Sequence, residues 1–221
     1  LSAYPRLPEP QLYFTFESSS KSITDRSLNG KDVTSTLPDN FFGAGAPTGT
    51  TPSRGINFSG NANPKTNRGI SNNNYIEVPS YKFDDIIGEE WNDTDSQVGY
   101  TFSAWIKPSE FNGENYLFAQ KSNSDGVQIG IRWDCLVISH GRGDWLRGKT
   151  KLNDYVSSDS DGWIHVLYQY DGPTNIASVY LDGKFEGQRN LREPERRNQS
   201  HLIIGAGLTS QDDVDMDFVG S

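Results

Sequence analysis

Apolar and polar residues alternate in steps of two through much of the second half of the chain. Between Tyr100 and Lys107, Tyr100, Phe102, Ala104 and Ile106 fall on one side, and Thr101, Ser103, Trp105 and Lys107 on the other. Val127, Ile129, Ile131 and Trp133 repeat the rhythm against Gln128, Gly130 and Arg132. It returns in Ile164, Val166, Tyr168 and Tyr170, and again in Ala177, Val179 and Leu181. Successive side chains of a strand point to opposite faces. This period therefore predicts strands with one face buried and the other wet or shared. Asp182-Gly183 directly follows one run, and that dipeptide favours the positive backbone angles of a tight hairpin turn.

The first half is less regular. Residues 1–10 carry Pro5, Pro8 and Pro10 and read as an extended lead-in. Leu12 to Glu17 reads as a strand, 25–30 as a polar turn, and the Gly/Pro/Thr-rich stretch 39–54 as a long surface loop. Gly55 to Phe58 and Tyr75 to Val78 are further short apolar runs, the second stopped by Pro79. Phe83, Ile86, Ile87 and Trp91 fall at helical spacing and predict one short helix between Lys82 and Trp91. Many strands, frequent turns and little helix predict an all-β, two-sheet antiparallel sandwich. No internal repeat or linker divides it, so one domain is expected over 11–221.

The length of 221 residues suits one large sandwich with a core that needs no metal or disulfide staple. The net charge of −9 repels phosphates, which argues against nucleic acid and against anionic membrane surfaces. No run of about 18 apolar residues exists to insert into a membrane. Cys135 is the only cysteine, so no internal disulfide can form, and its neighbours Trp133, Leu136 and Val137 point to a buried thiol. Sequons at Asn57, Asn92 and Asn198 fit a secreted glycoprotein. The chain opens on Leu1 rather than Met, as a processed protein or an excised fragment would.

The order of segments carries more than each alone. Gly55-Ile-Asn-Phe-Ser-Gly60, Tyr75-Ile-Glu-Val-Pro79 and Tyr100-Thr-Phe-Ser-Ala-Trp-Ile-Lys-Pro108 come first. Asp161-Gly-Trp-Ile-His-Val166, Ala177-Ser-Val-Tyr-Leu-Asp-Gly183 and Leu202-Ile-Ile-Gly-Ala-Gly207 follow. The series resembles the laminin-G-like, concanavalin A-like jelly-roll domains of secreted and cell-surface proteins, over roughly residues 11–221. The resemblance implies a jelly roll working outside the cell or at its surface. It also implies that a segment like Phe218-Val-Gly-Ser221 opens the last strand. Since the sequence stops at Ser221, that strand is expected to be missing, to come from elsewhere by exchange with another chain, or to have been cut off. Many relatives hold calcium between the first polar turn and the last strand. By that resemblance Asp25, Asn29 and Asp217 are the candidate ligands for calcium, an ion that takes several oxygens.

Catalytic patterns are not found. Polysaccharide-cleaving enzymes of this fold place paired carboxylates on one strand face, and no Glu-x-Asp-x-x-Glu spacing occurs. Glu89, Glu90 and Asp93 carry charge at an expected helix end, where a surface role fits. Asp212, Asp213, Asp215 and Asp217 have no acid or base placed opposite them. His140, His165 and His201 have no zinc spacing, and no nucleophile elbow supports a serine triad.

The segment Ser139-His-Gly-Arg-Gly-Asp-Trp-Leu-Arg-Gly148 is the most suggestive loop. A tryptophan face can stack on a sugar or anchor a protein contact, and Arg142 and Asp144 can make directional hydrogen bonds. His140, Arg142, Asp144, Trp145 and the nearby Tyr155 are therefore the candidate ligand-binding residues. The bland alternative is a loop whose Trp145 folds back onto the core. The same loop holds Arg142-Gly143-Asp144, the tripeptide that integrins read. The leading expectation is a non-catalytic, lectin-like carbohydrate-binding or adhesion module with a glycan or cell-surface protein as partner. An assembly module of a larger surface or particle protein comes second, and a polysaccharide-degrading enzyme third.

Overall fold

Two antiparallel sheets stack face to face in the computed structural model of the chain. The structure describes residues 10, 12–16, 22–27, 30, 32–34, 42–45, 54–59, 75–78, 99–122, 125–141, 143–157, 161–192, 202–208, 214–215 and 219–220. The strands of the two sheets are, in chain order, β1 (Ile76–Val78), β2 (Tyr100–Ile106), β3 (Glu114–Ser122), β4 (Asp125–Arg132), β5 (Cys135–Ser139) and β6 (Trp145–Arg147). A short helix, α1 (Leu152–Ser157), precedes β7 (Ile164–Asp171), β8 (Ile176–Leu181), β9 (Lys184–Asn190) and β10 (Leu202–Ile204). One sheet has six strands in the order β6-β5-β4-β3-β10-β1, and the other has four in the order β9-β8-β7-β2. All their pairings are antiparallel. This is the two-sheet antiparallel sandwich that the alternation predicts and the jelly roll that the resemblance implies.

The core lies between the sheets. Ile129, Ile131, Leu136, Ile138 and Leu146 come from the larger sheet, and Ile106, Ile164, Val166, Tyr168, Val179 and Leu181 from the smaller. Burying each large aliphatic side chain is worth about 1.5–3 kcal/mol, so this layer carries most of the stability. Tyr168 also crosses the layer, its hydroxyl donating to the Gly130 carbonyl of the opposite sheet at 2.9 Å. Cys135 is buried and free, as its neighbours suggest.

Four expectations need revision or fall elsewhere. Trp133 is not a strand residue. Arg132 pairs with Cys135, so Trp133-Asp134 is a two-residue turn, with φ of 50° and 65°. Leu12 to Glu17 does not form a continuous strand among the described residues, where Phe14 makes one isolated antiparallel bridge to Asp25. The helix expected over 82–91 lies outside the described residues, and the helix that is described is α1. Finally, Val219–Gly220, at the expected start of the last strand, pairs antiparallel with Phe58–Ser59.

Candidate functional site

The site forms where the turn after β4 meets the edge strand β6. Across the sheet, Cys135 faces Arg132, Val137 faces Gly130 and Arg147, and Ser139 faces Gln128 and Trp145. Strand alternation therefore puts Arg132, Arg147 and Trp145 on the outer face, opposite Ile129, Ile131 and Leu146. Trp133 sits beyond the end of β4, at the hairpin tip. Both central residues of a type I′ turn need positive φ, usually supplied by Asn or Gly. A bulky residue there is strained by about 1–3 kcal/mol. The indole that results is 45% exposed.

The tip is held from several sides. The indoles of Trp133 and Trp145 meet edge to face, with centroids 5.9 Å apart and planes at 75°. The Arg132 guanidinium lies 4.1 Å from the Trp133 ring centre and 6.0 Å from that of Trp145. Arg147 lies 5.9 Å from the Trp133 ring. Lys151 donates to the Trp133 carbonyl at 3.1 Å, and Asp134 accepts from the Asn153 amide at the start of α1 at 2.7 Å. Arg132 is paired with Glu114 at 2.6 Å. The result is a partly exposed aromatic surface edged by guanidinium groups.

Of the residues singled out in the sequence, Trp145 belongs to this surface, although it lies on a strand rather than in a loop. It is half-buried, which places it between the two readings of the loop. His140 does not line the surface. It is 5% exposed, and both ring nitrogens are engaged: Nδ1 with the Arg192 carbonyl at 2.6 Å and Nε2 with the Tyr100 hydroxyl at 2.5 Å. A carbonyl only accepts, so Nδ1 carries the proton and Nε2 accepts from tyrosine. Burial is the main reason its pKa falls to about 4, against smaller raising effects of the Arg192 carbonyl and Asp144. The ring packs edge-on against Tyr170 at 4.6 Å. His140 thus ties the loop to the smaller sheet.

Asp144 has a similar tethering role. Its Oδ2 accepts from the Arg192 amide at 2.6 Å, and Oδ1 lies 3.8 Å from the Arg189 guanidinium. Its side chain therefore points at the chain rather than outward, against the integrin reading of the tripeptide. Arg142 lies outside the described residues. Tyr155 is placed by α1 against the β8–β9 turn, where its hydroxyl donates to Asp182 Oδ2 at 2.8 Å. It contributes to that turn rather than to the loop. Trp133 is the residue the sequence reading missed, because its place in the alternating run hid the turn.

The candidate calcium ligands are not assembled among the described residues. Asp25 is buried, its Oδ1 accepting from the amides of Tyr13 and Ser27 and its Oδ2 from the Ser27 hydroxyl. Asn29 and Asp217 lie outside the described residues. No group of three or more His, Cys, Asp or Glu that could hold a metal occurs among those described.

Other carboxylates are also committed to turns. Glu186 accepts from the amides of Lys149 and Thr150 and from the Thr150 hydroxyl. Asp182 accepts from the His165 amide and from Tyr155. A second aromatic surface lies on the outer face of the smaller sheet. There Trp105 packs on His165 at 5.3 Å and Tyr180 on Phe185 at 5.6 Å, with His165 hydrogen-bonded to Ser103 at 2.8 Å.

The laminin G model of the concanavalin A-like lectin/glucanases superfamily matches residues 71–220. Among solved structures, the binding domain of Paraclostridial Mosquitocidal Protein 1 is similar over 95% of this chain, with a TM-score of 0.59 and 15% identity. Domains LG4-5 of the mouse laminin alpha1 chain align over 58% of this chain, with a TM-score of 0.40 and 15% identity. The aligned part covers 45% of the first structure's chain and 34% of the second's, so this chain spans under half of either. The first likeness shows the fold. No curated protein matches the chain at a significant level.

Proposed function

Since the chain belongs to the concanavalin A-like lectin/glucanases superfamily, we propose that it is a non-catalytic carbohydrate-binding module that takes its ligand at the Trp133–Trp145 surface, outside the cell or at its surface. The observation that carries this reading is the Trp133 indole, raised on a left-handed backbone at a hairpin tip. A sugar ring offers an apolar C–H face that an indole can cover, with hydroxyls around its rim. Arg132 and Arg147, beside that indole, supply planar donors for those hydroxyls. Rigid strands on both sides fix the surface before any ligand arrives, which lowers the entropy lost on binding.

The carboxylates support the non-catalytic part of the reading. Glycoside cleavage needs an acid and a base or nucleophile flanking one bond. Asp25, Asp144, Asp182 and Glu186 instead each accept backbone amides that hold turns together. Calcium belongs to the same proposal, with Asp25, Asn29 and Asp217 offering the hard oxygen donors that this ion takes. A rise in melting temperature in millimolar calcium tests that part, and an unchanged melting temperature removes it. A glycan-array screen of the wild type and Trp133→Ala tests the whole. Saturable binding that the variant loses supports the reading, and binding unaffected by the substitution overturns the site.

A further inference from the structure

The two arginines of the tryptophan surface are not equivalent. Arg132 is neutralised by Glu114 at 2.6 Å. Arg147 has no carboxylate within ion-pair distance and no hydrogen bond from its guanidinium among the described residues. It stands 5.9 Å from the exposed Trp133 ring, on the edge strand of the larger sheet. Lys151, whose ammonium donates to the Trp133 carbonyl at 3.1 Å, adds a further cation beside the same turn. A guanidinium with no carboxylate partner among the described residues stands out in a chain that carries 29 acidic and 20 basic side chains.

We infer that the preferred ligand of this surface is an acidic saccharide, whose anionic group pairs with Arg147 while a sugar ring covers Trp133. The inference rests on the carbohydrate-binding reading and deepens it. Neutral hydroxyls would use only part of the guanidinium fork. A carboxylate or sulfate matches two parallel N–H groups and gains the stronger, charge-assisted bond. The indole beside the fork keeps the pair partly out of water, where the attraction is less screened than in bulk solvent. The negative remainder of the protein repels such ligands elsewhere, so it also directs them to this surface. A carboxylate and a sulfate fit the guanidinium fork alike.

The test is a calorimetric titration of the whole chain with three matched oligosaccharides: one bearing a uronic acid, its carboxyl-reduced neutral form, and a sulfated form of that neutral sugar. The expected result is binding of at least one anionic form about tenfold or more tighter than the neutral form, with the advantage shrinking as salt rises. Arg147→Gln should weaken binding of the anionic forms at least about fivefold more than binding of the neutral form, and so remove most of that advantage, while Arg147→Lys keeps part of it. Equal affinity for all three sugars would overturn the acidic preference and leave the carbohydrate reading intact. No binding of any of the three, together with an empty glycan array, would sink both. The wild-type comparison needs no variant, so a misfolded Arg147→Gln protein would not spare the inference.

Discussion

Trp133 lies in the turn that joins β4 to β5 and Trp145 on β6, yet their indoles meet with centroids 5.9 Å apart and planes at 75°. The contact depends on a turn that leaves Trp133 at φ 50°, a conformation that costs a bulky residue about 1–3 kcal/mol. Lys151 on the Trp133 carbonyl, the Asn153 amide on Asp134 and Arg132 over the ring hold that turn, and the indole is left 45% exposed.

Trp133→Gly separates the two roles. Glycine accepts positive φ without steric cost, which offsets the loss of the indole contacts, so the melting temperature should stay within a few degrees or rise. Saccharide affinity should fall by about 2 kcal/mol, roughly thirtyfold, as expected for a central aromatic anchor. Calorimetric melting beside ligand titration checks both halves. A variant that binds as well as the wild type would show that the strained indole has another purpose.

His140 makes folding stability depend on pH. Burial, its largest influence, holds the folded pKa at about 4, below the ordinary value of 6.5. Between those two values the unfolded chain binds a proton that the folded chain refuses. The full contribution is therefore present above about pH 6.5 and is lost progressively as pH falls towards 4. The size is on the order of 3 kcal/mol. Urea unfolding at pH 7 and pH 4.5 should show the loss in the wild type and a clearly smaller loss in His140→Gln. Parallel pH profiles for the two proteins would contradict the buried neutral imidazole.

Glu186 is the hub of the segment that leads from the tryptophan strand into α1. Its carboxylate accepts from Lys149 N, Thr150 N and Thr150 Oγ1 at 3.0, 2.7 and 2.8 Å. Glu186→Ala strands those donors and should cost about 3 kcal/mol, lowering the melting temperature by roughly 10 °C. Differential scanning calorimetry reads this directly, and a change under about 1 kcal/mol would mean that water replaces the carboxylate without penalty.

Tyr168→Phe removes one hydroxyl from the middle of the sandwich and leaves the Gly130 carbonyl without that donor. The expected loss is about 1–2 kcal/mol in chemical denaturation, with an unchanged denaturant slope. A neutral substitution would indicate that the two sheets are not joined by this bond.

The fold was legible because its signal is repeated. Ile164, Val166, Tyr168 and Tyr170 are buried on one face of β7, as their spacing requires. Asp182-Gly183 makes the tight turn that the dipeptide favours, with φ of 47° and 73°. The site was less legible because turns and tethers depend on partners distant in sequence. Nothing in the local pattern around Trp133 marks a turn, since Trp and Asp are not the usual residues of a type I′ pair. His140 reads as a polar loop residue until Tyr100 and Arg192, from two other segments, close around it. The helix α1 has six residues, too few for the 3.6-residue period to show.

The most direct measurement is a glycan-array screen of the folded wild-type chain in parallel with Trp133→Ala, followed by titration of the strongest hits. Saccharide binding at the Trp133 indole requires saturable hits for the wild type, enriched in anionic saccharides, and a drop of about thirtyfold in the variant. Hits retained at full strength without the Trp133 indole, or no saturable hit for the wild type, would contradict it.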